Sequence, residues 1–400
     1  MNALLKIIKI SFLVLFIFLA YNSFTYNTLK IKSNDDILKV KYANDQFVSE
    51  ISSFDNHKDR SLFRKKTDKF YNCALSGIFI NALRSALKIN NKVLLRELLE
   101  KINIVLLILT FSFLLIWLNI EFSFCAAFFA GLSILLSPYY ATLSNLVTIN
   151  VFSILLPGTL LSFLLIVERL KKTYLQKQIT FCLFLAIVFR LSISYRSIFF
   201  IIFTTLLISF YHGFYYKWEK RFALNRIFSF LKVMIFSFFG LSISQVGIDS
   251  IFNKVSFFDS INNLINNISF NLSFKETGIK QALLFILNKI NVYPHISCLT
   301  MLIVFFVISL LSFIFYYKIM RVHQRQFYAL FLMSFVSYIL VIISSVFETP
   351  NSSYVGLLWM YPATIFSFSI FGLLVSNIYK YFTFDNSESI TQALNETVEN

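Results

Sequence analysis

"KINIVLLILTFSFLLIWLNIEFSFCAAFFAGLSILLSP" (Lys101–Pro138) decides the fold. Crossing the hydrocarbon core of a bilayer takes about 20 mostly apolar residues per helix. This stretch supplies two candidate spans back to back, at 103–120 and 123–138. Blocks of the same kind lie at 5–21, 148–168, 178–193, 196–213, 227–245, 296–317, 327–347 and 355–379. The whole chain of 400 residues is 57% hydrophobic and only 14% charged, where an ordinary soluble domain carries charge on about a quarter of its residues. The expected fold class is therefore all-α: a polytopic membrane protein of about ten transmembrane helices. Residues 1–384 read as a single membrane domain and 385–400, "DNSESITQALNETVEN", as a disordered acidic tail.

Loop charge orients the spans. The short loops "RLKKTYLQK" (169–177), "FYYKWEKRFALNR" (214–226) and "KIMRVHQR" (318–325) contain four, four and three Lys/Arg, whereas "YYATLSNLV" (139–147) and "ETPNSSY" (348–354) contain none. By the positive-inside rule the basic loops, and both termini, are expected in the cytoplasm. Two long segments, 22–102 and 246–295, then fall outside; long loops largely escape that rule. Lys6 and Lys9 ahead of the first apolar run mimic a signal peptide, but no small-residue cleavage pattern ends it, so an uncleaved first helix is expected.

Flat interfacial helices are expected in both outer segments. In "LSGIFINALRSALK" (75–88), Leu75, Ile78, Phe79, Ala82, Leu83 and Ala86 share one helical face, opposite Asn81, Arg84, Ser85 and Lys88. "NKVLLRELLEK" reads as a second such helix, with Arg96/Glu100 and Glu97/Lys101 spaced for i,i+4 pairing. In the second segment, Phe257, Phe258, Ile261, Leu264, Ile265, Ile268 and Leu272 form a stripe opposed by asparagines, and 277–295 is expected as a surface helix stopped before Pro294.

Several chemistries find no support. Cys73, Cys125, Cys182 and Cys298 make no C-x-x-C, so neither a disulfide framework nor a zinc site is expected. His57, His212, His295 and His323 are scattered, and there is no Gly-rich phosphate loop. The spans carry no Asp or Glu in their middles, which argues against ion-coupled transport. Nine glycines and five prolines give little material for the broken helices that transporters use.

The polar residues gather at the outer boundary. Asp35, Asp36 and Asp45 follow the first span, Asn145 and Asn150 lie at the turn before the fourth, and Arg190 and Arg196 flank the turn between the fifth and sixth. Carboxylates and guanidiniums on one aqueous surface suit transfer of a group from a lipid-linked phosphate to a hydroxyl. A carboxylate takes the acceptor's proton as general base, and Arg stabilises charge on the departing phosphate. Each group also has a plainer reading: a solvated loop for the aspartates, headgroup anchoring for the arginines, hydrogen bonding of the helix turn for the asparagines.

A first helix, a long outer loop opening with an acidic pair, and the stretch "LLSPYYATLSNLVTINVFSILLPG" (135–158) resemble the GT-C glycosyltransferases, and "WMYPATIF" (359–366) is similar to a Tyr-Pro element of a late helix in that superfamily. The resemblance covers the layout of residues 5–210 and few identities. It implies hexosyl or pentosyl transfer from a polyprenyl-phosphate-linked donor to a glycan, lipid or protein acceptor. The setting would be the outer face of a bacterial inner membrane, or alternatively the ER, with membrane lipid and no nucleic acid as partner. Asp35 or Asp36 would be the catalytic base; Arg190, Arg196 or Arg84 would bind the donor phosphate; Asp45, Asn145, Asn150 and Tyr361 would line the acceptor side and turn. Asn145 and Asn150 stand where many members carry a second acid, which weakens the case for a divalent Mg or Mn, since hard cations want carboxylate oxygens. The alternatives are a lipid-linked polysaccharide polymerase or ligase, and a lipid flippase or transporter.

Overall fold

The computed structural model describes residues 2–29, 40–42, 44, 45, 48, 80, 82–89, 91–146, 151–193, 198–216, 219–253, 256–262, 265, 291–293, 296–319, 327–336 and 364–379. Among these the chain is a helical bundle. In order, α1 is Asn2–Tyr26, α2 Lys92–Glu121, α3 Phe124–Leu136, α4 Pro138–Ser144, α5 Val151–Arg169, α6 Thr173–Ile193, α7 Ile198–Tyr215 and α8 Lys220–Asn253. A small antiparallel pair, β1 (Asn291–Tyr293) and β2 (Ile296–Ser297), precedes α9 (Cys298–Ile319). Two shorter apolar helices follow, α10 (Phe327–Val336) and α11 (Thr364–Tyr379). Five helices are long and apolar enough to cross a membrane: α1, α2, α5, α6 and α8. The chain is thus a multi-pass membrane protein. α3, α7, α9, α10 and α11 overlap the other five stretches read as spans.

Local chemistry punctuates the helices. Asn91 caps α2, its side chain accepting from the Val93 amide at 2.9 Å, and Ser123 caps α3 through the Ala126 amide at 3.1 Å. Pro138 opens α4 at the position where its missing N–H costs nothing. α1 ends on Asn27 with φ 54°, and α5 ends on Lys171, also at φ 54°, the left-handed closure that satisfies last-turn carbonyls.

Packing fixes which ends meet. α1 runs against α2 and α3, and α5 packs along α2, α6 and α7. Phe12 meets Gly131 and packs on Phe124 and Phe128, whereas the carbonyl of Phe24 accepts from Asn145. At the opposite end of α2, Glu121 meets Arg169 of α5 and Tyr211 of α7. α2, α5 and α7 therefore run parallel, from an "Asn145 end" to a "Glu121 end". The buried core runs between these helices, α1 and α11, with Phe16, Leu107, Phe111, Trp117, Leu161 and Ile370 among its most covered side chains.

Three sequence expectations need correction. The stretch "NKVLLRELLEK" is not a separate flat helix: nothing between Lys92 and Glu121 breaks the helix, so it continues into the span as one 30-residue element. At 1.5 Å per residue that is ~45 Å, well beyond the ~30 Å hydrocarbon core. The N-terminal turns therefore overhang the membrane and pack Leu95 and Leu99 on Val48 and Ile80, with Leu83 and Ile89 alongside. The second correction follows from this packing: in the 82–86 helical turn Ala82 and Ala86 are exposed, and Leu83 faces the packed side. Thirdly, the helix expected over 277–295 does not reach its end, because 291–293 are strand; Pro294 disfavours helical geometry at the residue before it. The 277–290 stretch lies outside the described residues, as does the acidic tail.

Candidate functional site

The Asn145 end gathers polar side chains from four pieces of chain. α2 contributes Arg96, Glu97, Glu100 and Asn103, the segment before it Asn44 and Asp45, the end of α4 Ser144 and Asn145, and α1 the Phe24 carbonyl. Asn44, wholly buried, donates to Glu100 Oε1 at 2.8 Å and to the Asn145 carbonyl at 2.7 Å. Asn145 in turn donates to the carbonyls of Phe24 and Ala141, both at 2.9 Å. Asn103 donates to the Ser144 carbonyl at 2.6 Å. Four chain segments are thereby locked without any carboxylate at the turn itself.

Arg96 is the cation of this network. Its side chain is only 9% exposed, yet it meets Asp45, 49% exposed, and lies 3.6 Å from Glu100 and 3.9 Å from Glu97. A buried guanidinium needs such partners, since an unpaired buried charge is costly. The result is an anion-rich rim of Asp45 and Glu97 over a buried positive centre.

Arg190 sits at the same end, on α6. It is buried and donates to Ser153 Oγ on α5 at 3.3 Å. Pro157, inside α5, has no N–H to give the Ser153 carbonyl four residues earlier, so the guanidinium arrives where the helix lacks its own donor. Just beyond lies an apolar cavity of about 50 Å³ between α2, α5, α7 and α11, bounded by Phe111, Leu155, Gly158, Ile208 and Phe366. That is smaller than the ~150 Å³ that admits a benzene-sized group.

Of the residues singled out from sequence, the structure joins Asp45 and Asn145 in one network through Asn44 and its neighbours, and sets Arg190 at that end on other helices. Asn145 is used as a turn-tying amide. Arg84 is turned back on its own helix end, donating to the Ile89 carbonyl at 3.1 Å. Asp35, Asp36, Asn150, Arg196 and Tyr361 lie outside the described residues. Among the described residues no group of three or more His, Cys, Asp or Glu is placed to hold a metal ion.

A second polar cluster, at the Glu121 end, was not anticipated. The Glu121 side chain is fully covered; it lies 3.2 Å from the Arg169 guanidinium and accepts from Tyr216 at 2.6 Å and Tyr211 at 3.2 Å. Arg169 also donates to the Tyr216 hydroxyl and lies over its ring, which stacks on His212. Beside it, Arg226 of α8 pairs with Glu168 at 2.8 Å. One acid between two apolar runs, with arginine and tyrosine at later helix ends, was the only sequence signal for this clamp. Comparison with family models, with curated proteins and with solved structures finds no match to this chain.

Proposed function

We propose that the chain is a ten-span membrane glycosyltransferase of the GT-C type. In this reading it transfers a sugar from a polyprenyl-phosphate-linked donor to an acceptor hydroxyl at the Asn145 end, which faces the outer side of a bacterial inner membrane. One observation carries the reading: the segment that returns from the acidic loop is anchored, through Asn44, Asp45 and Arg96, to the end of the bundle where Arg190 also sits. The reading is supported by Asp45 and Arg190 lying at the same end of the bundle. The Glu121 clamp supports it from the other side, because it draws the far ends of α2, α5 and α7 together, which disfavours a transporter that must open at both ends.

The acceptor oxygen bonds to the sugar's anomeric carbon, the bond from that carbon to the phosphate oxygen breaks, and the acceptor's proton goes to Asp35 or Asp36. Polyprenyl phosphate departs, its new charge met by Arg190 or Arg196. The 50 Å³ cavity is too small for the isoprenoid, so the tail stays in the bilayer and only the head reaches the site.

The test is glycan profiling of a deletion strain complemented with Asp35→Asn, Asp36→Asn and the unaltered chain. Loss of one glycan, restored only by the unaltered chain, is the expected result. Unchanged glycans in every strain would overturn the proposal. Loss that follows Arg190, Arg196 and the 246–295 segment, with both aspartate variants active, would move the assignment to a polysaccharide polymerase or ligase.

A further inference from the structure

At the Glu121 end a groove of about 180 Å³ lies between α1, α2 and α3. Its walls are apolar: Ile10, Phe12 and Leu13 from α1, Leu115 and Ile116 from α2, Phe124 and Ala127 from α3. Phe12 bounds it in depth, since its ring tip is held against Gly131, 2.9 Å from where a Cβ would stand there. Lys9 and Asn119 are the two polar residues among those that line it.

These two residues are placed informatively. Lys9 lies one turn after Lys6, so both ammonium groups share a face of α1, and the apolar wall residues Phe12 and Leu13 follow at the next turn. Asn119 is two residues from the Glu121 terminus of α2, close to the end of that apolar helix. An ammonium and an amide over an apolar slot match a phosphodiester over an acyl chain. The slot exceeds the ~150 Å³ that takes a benzene-sized hydrocarbon, so it is large enough for a stretch of chain and not for a whole lipid.

We infer that this groove is a binding site for one anionic phospholipid of the leaflet at the Glu121 end, with an acyl chain between α1, α2 and α3 and its phosphate on Lys9 and Asn119. The inference is independent of the glycosyl-transfer reading, because the groove lies at the opposite end of the bundle. Bound lipid would fill the space between α1, α2 and α3 beside the close approach of Phe12 to Gly131.

Native mass spectrometry of the purified full chain, delipidated and then titrated with phosphatidylglycerol or phosphatidylcholine, tests it. One phosphatidylglycerol should be retained per chain in preference to phosphatidylcholine. Lys9→Gln should weaken that retention about fivefold, the loss of one cation from an anionic headgroup, and Lys9→Arg should preserve it. Ile116→Trp, which fills the slot, should remove retention of both lipids; Leu13→Trp does the same from the α1 wall if the first variant fails to fold. Equal retention of the two lipids, untouched by these changes, would mean annular lipid only and would overturn the site. So would sensitivity to Lys6→Gln alone, which would place the phosphate on the helix surface.

Discussion

At the residue scale, Arg96 and Glu121 are the two charges whose surroundings make the sharpest demands. Arg96→Met leaves Glu100, itself largely covered, beside Asn44 with no cation, and should cost ~2 kcal/mol, below the full cost of breaking a buried pair because Asp45 remains in water. Asp45→Asn removes only the half-exposed partner and should cost under about 1 kcal/mol. Glu121→Gln keeps an acceptor for the two tyrosine hydroxyls and should cost ~1 kcal/mol, whereas Glu121→Ala removes that acceptor and the partner of Arg169 together and should cost ~3 kcal/mol. Apparent melting midpoints in one detergent should therefore fall in the order Asp45→Asn, Glu121→Gln, Arg96→Met, Glu121→Ala; a lower midpoint for Asp45→Asn than for Arg96→Met would refute the network as drawn. The Arg96/Glu100 spacing was legible because i,i+4 pairing is local. Asn44 and Asn103 were not, since their partners lie 56 and 41 residues away and an asparagine announces no partner.

At the element scale, close helix approach replaces the hydrophobic effect that lipid removes. A Cβ at Gly372 of α11 would stand 2.3 Å from the Cys125 carbonyl oxygen of α3, while one at Gly240 of α8 would meet nothing within 4 Å. Gly372→Ala must move backbone and should cost ~2 kcal/mol; Gly240→Ala should be neutral within ~0.5 kcal/mol. The pair is a controlled comparison, because both sit in helices and both add one methyl. Expression level and melting midpoint read it, and equal behaviour would mean that α11 does not pack on α3 as described. Three buried serines make a smaller link: Ser367 of α11 bonds Ser309 of α9 at 3.1 Å and Ser334 of α10 at 2.8 Å. Ser367→Ala should cost ~0.6 kcal/mol, the usual worth of such bonds between membrane helices. Apolar length and helix caps made the elements readable in the sequence. Their junctions were less so: hydropathy drops at Arg96–Lys101 although the backbone has no reason to stop, so one long helix looked like two.

At the scale of the whole molecule, sidedness is the property on which a function at either end depends, and composition states it more plainly than any motif. The connections at the Glu121 end carry Lys171, Lys172, Lys177 and Arg221 besides the paired Arg169 and Arg226, and the turn after α4 at the Asn145 end carries no Lys or Arg. Positive charge in short loops is retained in the cytoplasm; the same charges on the outer side would have to cross against the membrane potential, at about 2.3 kcal/mol per charge per 100 mV. The four Lys/Arg in each of these short connections decide the orientation even against the many Lys and Arg of 22–102, because a segment that long translocates largely regardless of charge. A cysteine introduced at Asn27, just past α1, should thus react with an impermeant maleimide in intact cells, and one at Lys171 only after the membrane is opened. Reaction at both positions in intact cells would break the parallel arrangement of α2, α5 and α7. Reaction at Lys171 alone would invert the bundle: the Arg190 end would then face the cytoplasm, a polyprenyl-linked donor would have to be sought in the inner leaflet, and the phospholipid groove would lie in the outer one.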